Sequence, residues 1–267
     1  MSRIILLGTS SAVPDEHQEN THLMVLSGER GVLIDCPGNP VVRLKQAGVS
    51  YDRITDIVLT HFHPDHVSGF GLLAMDLWLM GRQQELHVWG LEDTVSRAEK
   101  MLDLFTWDDW PGFYPLHFHA LPEAPRYQFL NTPELRLYSS PVKHLIPTIG
   151  VRFEFPQLGK AAVYSSDTEP SDAVVDLANR VNVLIHEATG ASNGHSSAAQ
   201  AGDVAARAQA ASLYLIHYDG HREEEALIEA ARQVYSGPVF LAKDFMQIVL
   251  NEESPTNQEG LPLHIFP

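Results

Sequence analysis

The chain is short of positive charge, has almost no cysteine and carries no long apolar run. Eighteen Lys and Arg stand against 34 Asp and Glu, a formal net charge of −16. That balance excludes a broad cationic face for nucleic acid or anionic lipid and leaves room for no more than a local basic patch. The one cysteine, Cys36, rules out an internal disulfide and a cysteine zinc cluster, and reads as a small buried residue. Near the start, Ile4-Ile5-Leu6-Leu7 is far too short for a secretion signal or a bilayer span, so a cytoplasmic protein without membrane contact is expected. Low-complexity tracts and short-period repeats are also missing. The 267 residues are enough to bury a sizeable core, read here as one domain over residues 1–250 with a polar, Pro-containing tail at 251–267.

What the sequence does have is histidine, concentrated in His61-Phe62-His63-Pro64-Asp65-His66. Four strong metal ligands fall within six residues, directly after the β-branched, apolar run 54–60 and before small residues that can open a helix. Imidazoles with a carboxylate suit zinc, manganese or iron. A polar surface turn would scatter histidines more thinly.

Alternating apolar runs predict strands at 3–7, 22–26, 31–35, 86–89, 135–141, 149–155, 160–165, 181–186, 213–216, 239–241 and 247–250. Amphipathic spacing predicts helices over 40–47, 72–80, 92–105, 197–211 and 223–234. Residues 107–125, with several prolines and the aromatics Trp107, Trp110, Phe113, Tyr114 and Phe118, break the alternation and read as an irregular insertion or lid whose rings pack rather than stack on bases. Later strands end in His144, Asp167 and His217, all expected at one edge of a sheet, and seven donors suffice for two metals.

In that order, HxHxDH followed by isolated His, Asp and His resembles the metallo-β-lactamase superfamily. Leu7-Gly8-Thr9-Ser10-Ser11-Ala12-Val13-Pro14, Tyr164-Ser165-Ser166-Asp167-Thr168, His186-Glu187-Ala188-Thr189 and the Gly194 to Gly202 segment resemble its ribonuclease Z branch, and the similarity spans most of the chain. The resemblance implies a four-layer αββα sandwich, two mixed β-sheets flanked by helices. It implies one divalent ion on His61, His63 and His144, a second on Asp65, His66 and His217, and Asp167 bridging. Zn²⁺ is the expected metal, with Mn²⁺ or Fe²⁺ as alternatives. Such a pair supplies a bridging hydroxide and neutralises charge on a phosphoryl centre, and Asp65 can accept or orient the proton of the attacking water. By the same resemblance His195, supported by Glu187, serves the leaving group. His195 precedes an Ala-rich helix with Ser196 or Ser197 as N-cap, where a phosphate could dock; without its neighbours it would read as a surface residue.

Two departures matter. Members that process transfer-RNA 3′ ends carry a long arm between the third-motif His and the bridging Asp, whereas here Asp167 follows His144 by 23 residues. They also carry Gly-Glu-Gly-Thr-Gln where this chain has Cys36-Pro37-Gly38-Asn39-Pro40 after Asp35. The expected activity is therefore a phosphodiesterase acting on a small or short single-stranded substrate, without stable nucleic-acid binding; a homodimer is compatible. Transfer-RNA processing and hydrolysis of a thioester, lactone or sulfate ester are the rivals. A binding module would not need the whole donor set, and an iron oxidoreductase of this fold would need an added flavin domain. His117 and His119 have ligand spacing but no carboxylate nearby in sequence, so they read as surface or pocket-lining residues, as do His17, His22, His87, His221 and His264. His186 reads as a supporting residue at a strand end.

Overall fold

The run Ile4-Ile5-Leu6-Leu7 shows how the layers arise. In the computed structural model, which describes residues 2–250, Ile4 and Leu6 enter one apolar cluster, Ile5 and Leu7 enter another, and all four are fully buried. A strand covered on both faces gives a continuous apolar run instead of an alternating one. The expected tail at 251–267, with His264, lies outside the described residues.

The first half comprises β1 (Ser2–Gly8), β2 (His22–Ser27), β3 (Arg30–Ile34), α1 (Pro40–Gln46), β4 (Asp56–Val58), α2 (Pro64–Val67), α3 (Phe70–Leu79), β5 (Leu86–Leu91), α4 (Glu92–Asp103) and β6 (Leu116–Leu121). The second comprises β7 (Tyr127–Asn131), β8 (Arg136–Val142), β9 (Thr148–Phe155), β10 (Lys160–Tyr164), α5 (Asp172–Leu177), β11 (Val183–Glu187), α6 (Ala198–Arg207), β12 (Leu213–Ile216), α7 (Glu224–Arg232) and β13 (Val239–Leu241), after which β14 (Gln247–Leu250) returns to pair with β1. Two mixed seven-stranded sheets result, ordered β14-β1-β2-β3-β4-β5-β6 and β13-β12-β11-β10-β9-β8-β7. Ile34, Val58, Phe153, Tyr164 and Ile185 fill the space between them. Leu44 of α1, Leu73 of α3 and Leu102 of α4 cover one outer face; Leu177, Val204 and Leu227 of α5, α6 and α7 cover the other. This is the four-layer αββα sandwich. Among the described residues no helix is long and apolar enough to cross a membrane.

Several expectations need correction. Residues 107–125 are not simply a loop or lid: a short 3₁₀ turn at Trp107–Asp109 leads into β6, the edge strand, which was hidden because its alternating histidines look polar. The aromatics there pack: Tyr114 is buried with its hydroxyl donating to Ala74 O, and Trp110 stacks on Trp78. The half-exposed strand β7 and the six-residue helix α5 were also not anticipated; both are too short for a clear period. The apolar run 54–60 yields just three strand residues, since its end must turn to present the ligands.

His22 is not a surface residue. It is fully buried on β2, donates Nδ1–H to Asn20 O at 2.8 Å, and leaves Nε2 without a hydrogen-bond partner. Burial, reinforced by Arg43 and His66, pushes it down to about 4. A histidine held neutral in the fold but free to protonate when unfolded gives stability that is complete above pH 6.5 and lost as pH falls toward 4, about 3 kcal/mol in all. Denaturant unfolding at pH 7.5 and pH 4, at equal metal content, should therefore show a larger loss for the natural chain than for His22→Gln; equal losses would contradict this.

Candidate metal centre

The strands that run parallel end at one rim of the sandwich, and the polar residues just beyond them meet there. His61, His63, Asp65 and His66 come from the segment leaving β4 and turning into α2, whose first turn is fixed by Pro64. His144 follows β8, Asp167 follows β10, and His217 follows β12. Three residues at these bends, Asp35 (φ 60), Ser166 (φ 55) and His217 (φ 54), hold the left-handed backbone that non-glycine residues seldom adopt. Such strain collects where geometry is imposed by a site.

Donor atoms of His61, His63 and His144 lie within 4.8 Å of one another, as do those of Asp65, His66, Asp167 and His217. Asp167 stands between the groups: Oδ2 is 3.9 Å from His61 Nε2, 4.0 Å from His144 Nε2 and 3.5 Å from His66 Nε2, while Oδ1 is 3.5 Å from His217 Nε2. Asp65 Oδ2 lies 3.5 Å from both His66 Nε2 and His217 Nε2. All seven residues expected at the centre thus converge.

The opposite ring nitrogens explain which atoms face inward. His61 Nδ1–H donates to Thr60 Oγ1 at 3.0 Å, and that hydroxyl donates to Asp35 Oδ2 at 2.9 Å. His66 Nδ1–H donates to the same carboxylate oxygen at 2.8 Å, His144 Nδ1–H to Gly194 O at 2.7 Å, and His217 Nδ1–H to Thr189 Oγ1 at 2.8 Å. With Nδ1 protonated, each Nε2 presents a lone pair. His63 Nδ1 is 3.1 Å from His61 Nε2 and 3.2 Å from His144 Nε2, a convergence that one proton cannot satisfy. Nitrogens around a tetrahedral zinc, with bonds of about 2.0–2.1 Å, fall about 3.3 Å apart. His66 Nε2, Asp167 Oδ1 and His217 Nε2 are buried without hydrogen-bond partners. Unpartnered buried lone pairs aimed at a common point fit a divalent cation.

The buried carboxylates draw positive charge to this point, which a cation or protons on the rings can supply. Burial alone would raise Asp167, but the charges of His217 and His66 outweigh it and hold its carboxyl well below the usual range. Burial likewise opposes protonation of His66, yet Asp167 and Asp35 bring it well above the ordinary value. His61, with burial dominant, is pushed well down.

Outside the two donor sets, Glu187 is fully buried at the end of β11. Its Oε1 accepts from Thr168 N, Ser196 N and His195 Nδ1 at 3.0–3.1 Å, and its Oε2 from Thr189 N at 3.0 Å. The hydrogen bond to Glu187 raises the His195 pKa. The His195 ring stacks 6.0 Å from that of His217 and lies 5.0 Å from that of His144. The helix start beside it is not a free anion cradle as expected: Ser197 and Gln200 form a reciprocal capping box and Ser196 N is taken by Glu187, so these N–H groups are used internally. His186 donates Nδ1–H to Glu187 O and supports the strand end.

Asp35, Thr60 and Gly194 were not singled out from sequence as parts of the site. Asp35 offered the signal used for Asp167, a carboxylate closing a buried strand. Gly194, at φ 82, leaves no room for a side chain: a Cβ would sit 2.9 Å from His144 Nδ1.

Fold and donor set together define a metal-dependent hydrolase of the metallo-β-lactamase fold, on its ribonuclease Z-like branch. The chain belongs to the family described as Anti-Pycsar protein Apyc1, which matches residues 2–236. It is 26% identical to Ribonuclease Z of Methanothermobacter thermautotrophicus over 93% of this chain and 96% of that protein. Among solved structures, the Bacillus subtilis metallo-β-lactamase fold protein YhfI superposes with a TM-score of 0.78 at 20% identity, covering 92% of this chain and 98% of that one. Human tRNase Z, short form, superposes at 0.74 and 22% identity, covering 93% and 99%.

Proposed function

We propose that the protein is a phosphodiesterase working with two divalent ions, expected to be zinc, on small or short single-stranded substrates. His61, His63 and His144 would hold one ion, Asp65, His66 and His217 the other, with Asp167 shared. Bound there, the pair supplies Lewis acidity and a hydroxide nucleophile at neutral pH. Asp65 can bind with one carboxylate oxygen and orient the attacking water with the other. His195, whose pKa is raised by its hydrogen bond to buried Glu187, can donate a proton to the departing oxyanion.

The observation that carries the phosphate reading is the Glu187–His195 pair set beside the donor clusters. A thioester, which expels a thiolate, has less need of a held acid than a phosphodiester that expels an alkoxide. Its natural test is a panel of phosphodiester, thioester, lactone and sulfate-ester substrates on metal-loaded protein. Preferential turnover of phosphodiesters is expected, and preference for another class would overturn it.

Transfer-RNA processing is the second reading, favoured by the ribonuclease Z relatives. Against it, the span between His144 and Asp167 is occupied by β9, a 3₁₀ turn and β10, a hairpin built into the sheet. Binding of structured RNA rests on phosphate contacts, and the chain has few cations for them. Negligible cleavage of precursor transfer RNA is expected where a nitrophenyl phosphodiester turns over; accurate trailer removal at a comparable rate would favour the second reading.

A further inference from the structure

The strands β4, β5 and β6 run parallel, so the ends opposite the metal centre also come together. His87 near the start of β5 lies in register with His117 of β6, and Trp89 with His119. The carboxylate that the sequence did not place near His117 and His119 is Glu85, immediately before β5. Its Oε1 is 3.6 Å from His87 Nε2 and its Oε2 is 3.6 Å from His117 Nε2. The rings of His87 and His117 stack 5.2 Å apart, so the donors close on one point by a turn of the exposed His117 and Glu85 side chains.

Behind them the orientation is fixed. His87 Nδ1 and His119 Nε2 are 2.9 Å apart. Trp89 stacks on His119 at 4.0 Å and donates Nε1–H to buried Asp56 Oδ1 at 2.9 Å. Burial, followed by the charges of His87 and His117, lowers the His119 pKa, and a neutral ring there can accept a hydrogen bond from His87 Nδ1–H. In that tautomer His87 Nε2, 3.6 Å from Glu85 Oε1, carries the lone pair.

We propose that Glu85, His87 and His117 form a separate site for a divalent transition metal, with His119 as the positioning residue that fixes the His87 tautomer. Two imidazoles and a carboxylate are borderline donors that suit zinc, nickel or copper above magnesium or calcium. An ion held there would tie edge strand β6 to β5, far along the sheet from the catalytic rim.

Zinc binding at neutral pH, measured by equilibrium dialysis and elemental analysis, should give one equivalent more for the natural chain than for His117→Ala. Glu85→Gln should also lose this equivalent or bind it more weakly. His119→Phe keeps the stack on Trp89 but removes the acceptor, and should weaken zinc at this site by roughly 10–100-fold. His117 and Glu85 are exposed, so these variants should fold, and turnover on a phosphodiester should be unchanged. Because every comparison is made between chains with identical catalytic donors, the result stands whatever those donors hold. Equal zinc in the natural chain, His117→Ala and Glu85→Gln would overturn the proposal.

Discussion

Asp167→Ala is expected to remove turnover and bound metal together. Its carboxylate stands within 4.0 Å of ring nitrogens from both donor sets, and without it six ligands remain with Asp65 as their one carboxylate. A positioned acid is worth roughly 10²–10⁴-fold; loss of the charge shared by the whole centre should cost more than that. Asp167→Asn keeps the shape and should fall between the two, which separates lost charge from lost packing at this buried position. Elemental analysis beside kcat is the measurement. A full metal complement and ordinary turnover in Asp167→Ala would remove this residue from the centre.

The opposite signature is expected at His195. His195→Ala should keep its metal and lose turnover by roughly 10²–10⁴-fold for substrates with a poor leaving group. The loss should shrink for a nitrophenolate, which departs without a proton. Glu187→Gln should act in the same direction more weakly, because its carboxylate orients the imidazole and raises its pKa without touching substrate. Equal losses on good and poor leaving groups, or loss of metal from His195→Ala, would refute the leaving-group role and make His195 a ligand or a structural residue.

The layers of the fold were legible because buried strands and amphipathic helices repeat with different periods. Ile4 to Leu7 and Leu213 to Ile216 gave strands close to their observed bounds, and the Ala-rich helix was marked by Ser197. The donors were legible because each closes a strand with a polar residue. Other features required three dimensions. β6 was obscured by His117 and His119, whose polarity reads as loop until β5 is laid beside it. Glu85 is distant from His117 in sequence, and only strand register brings the two together. The hydrogen-bond chain from His61 through Thr60 to Asp35 depends on a left-handed bend at Asp35 that no composition reveals. His22 was misjudged because burial of a lone histidine follows from what covers it.

The two sheets meet at the rim through very different chain segments. His61 and His63 belong to the first sheet's loop, His144, Asp167 and His217 to the second's, and Ile149 N–H of β9 reaches across to Thr60 O. Any cation these donors share is therefore also a fastener between halves whose apolar interface resists separation better than sliding, added to hydrogen bonds such as this one. Its loss would leave shear at the rim opposed by those hydrogen bonds alone, so a chelated protein could keep its secondary structure while the reacting groups drift out of alignment.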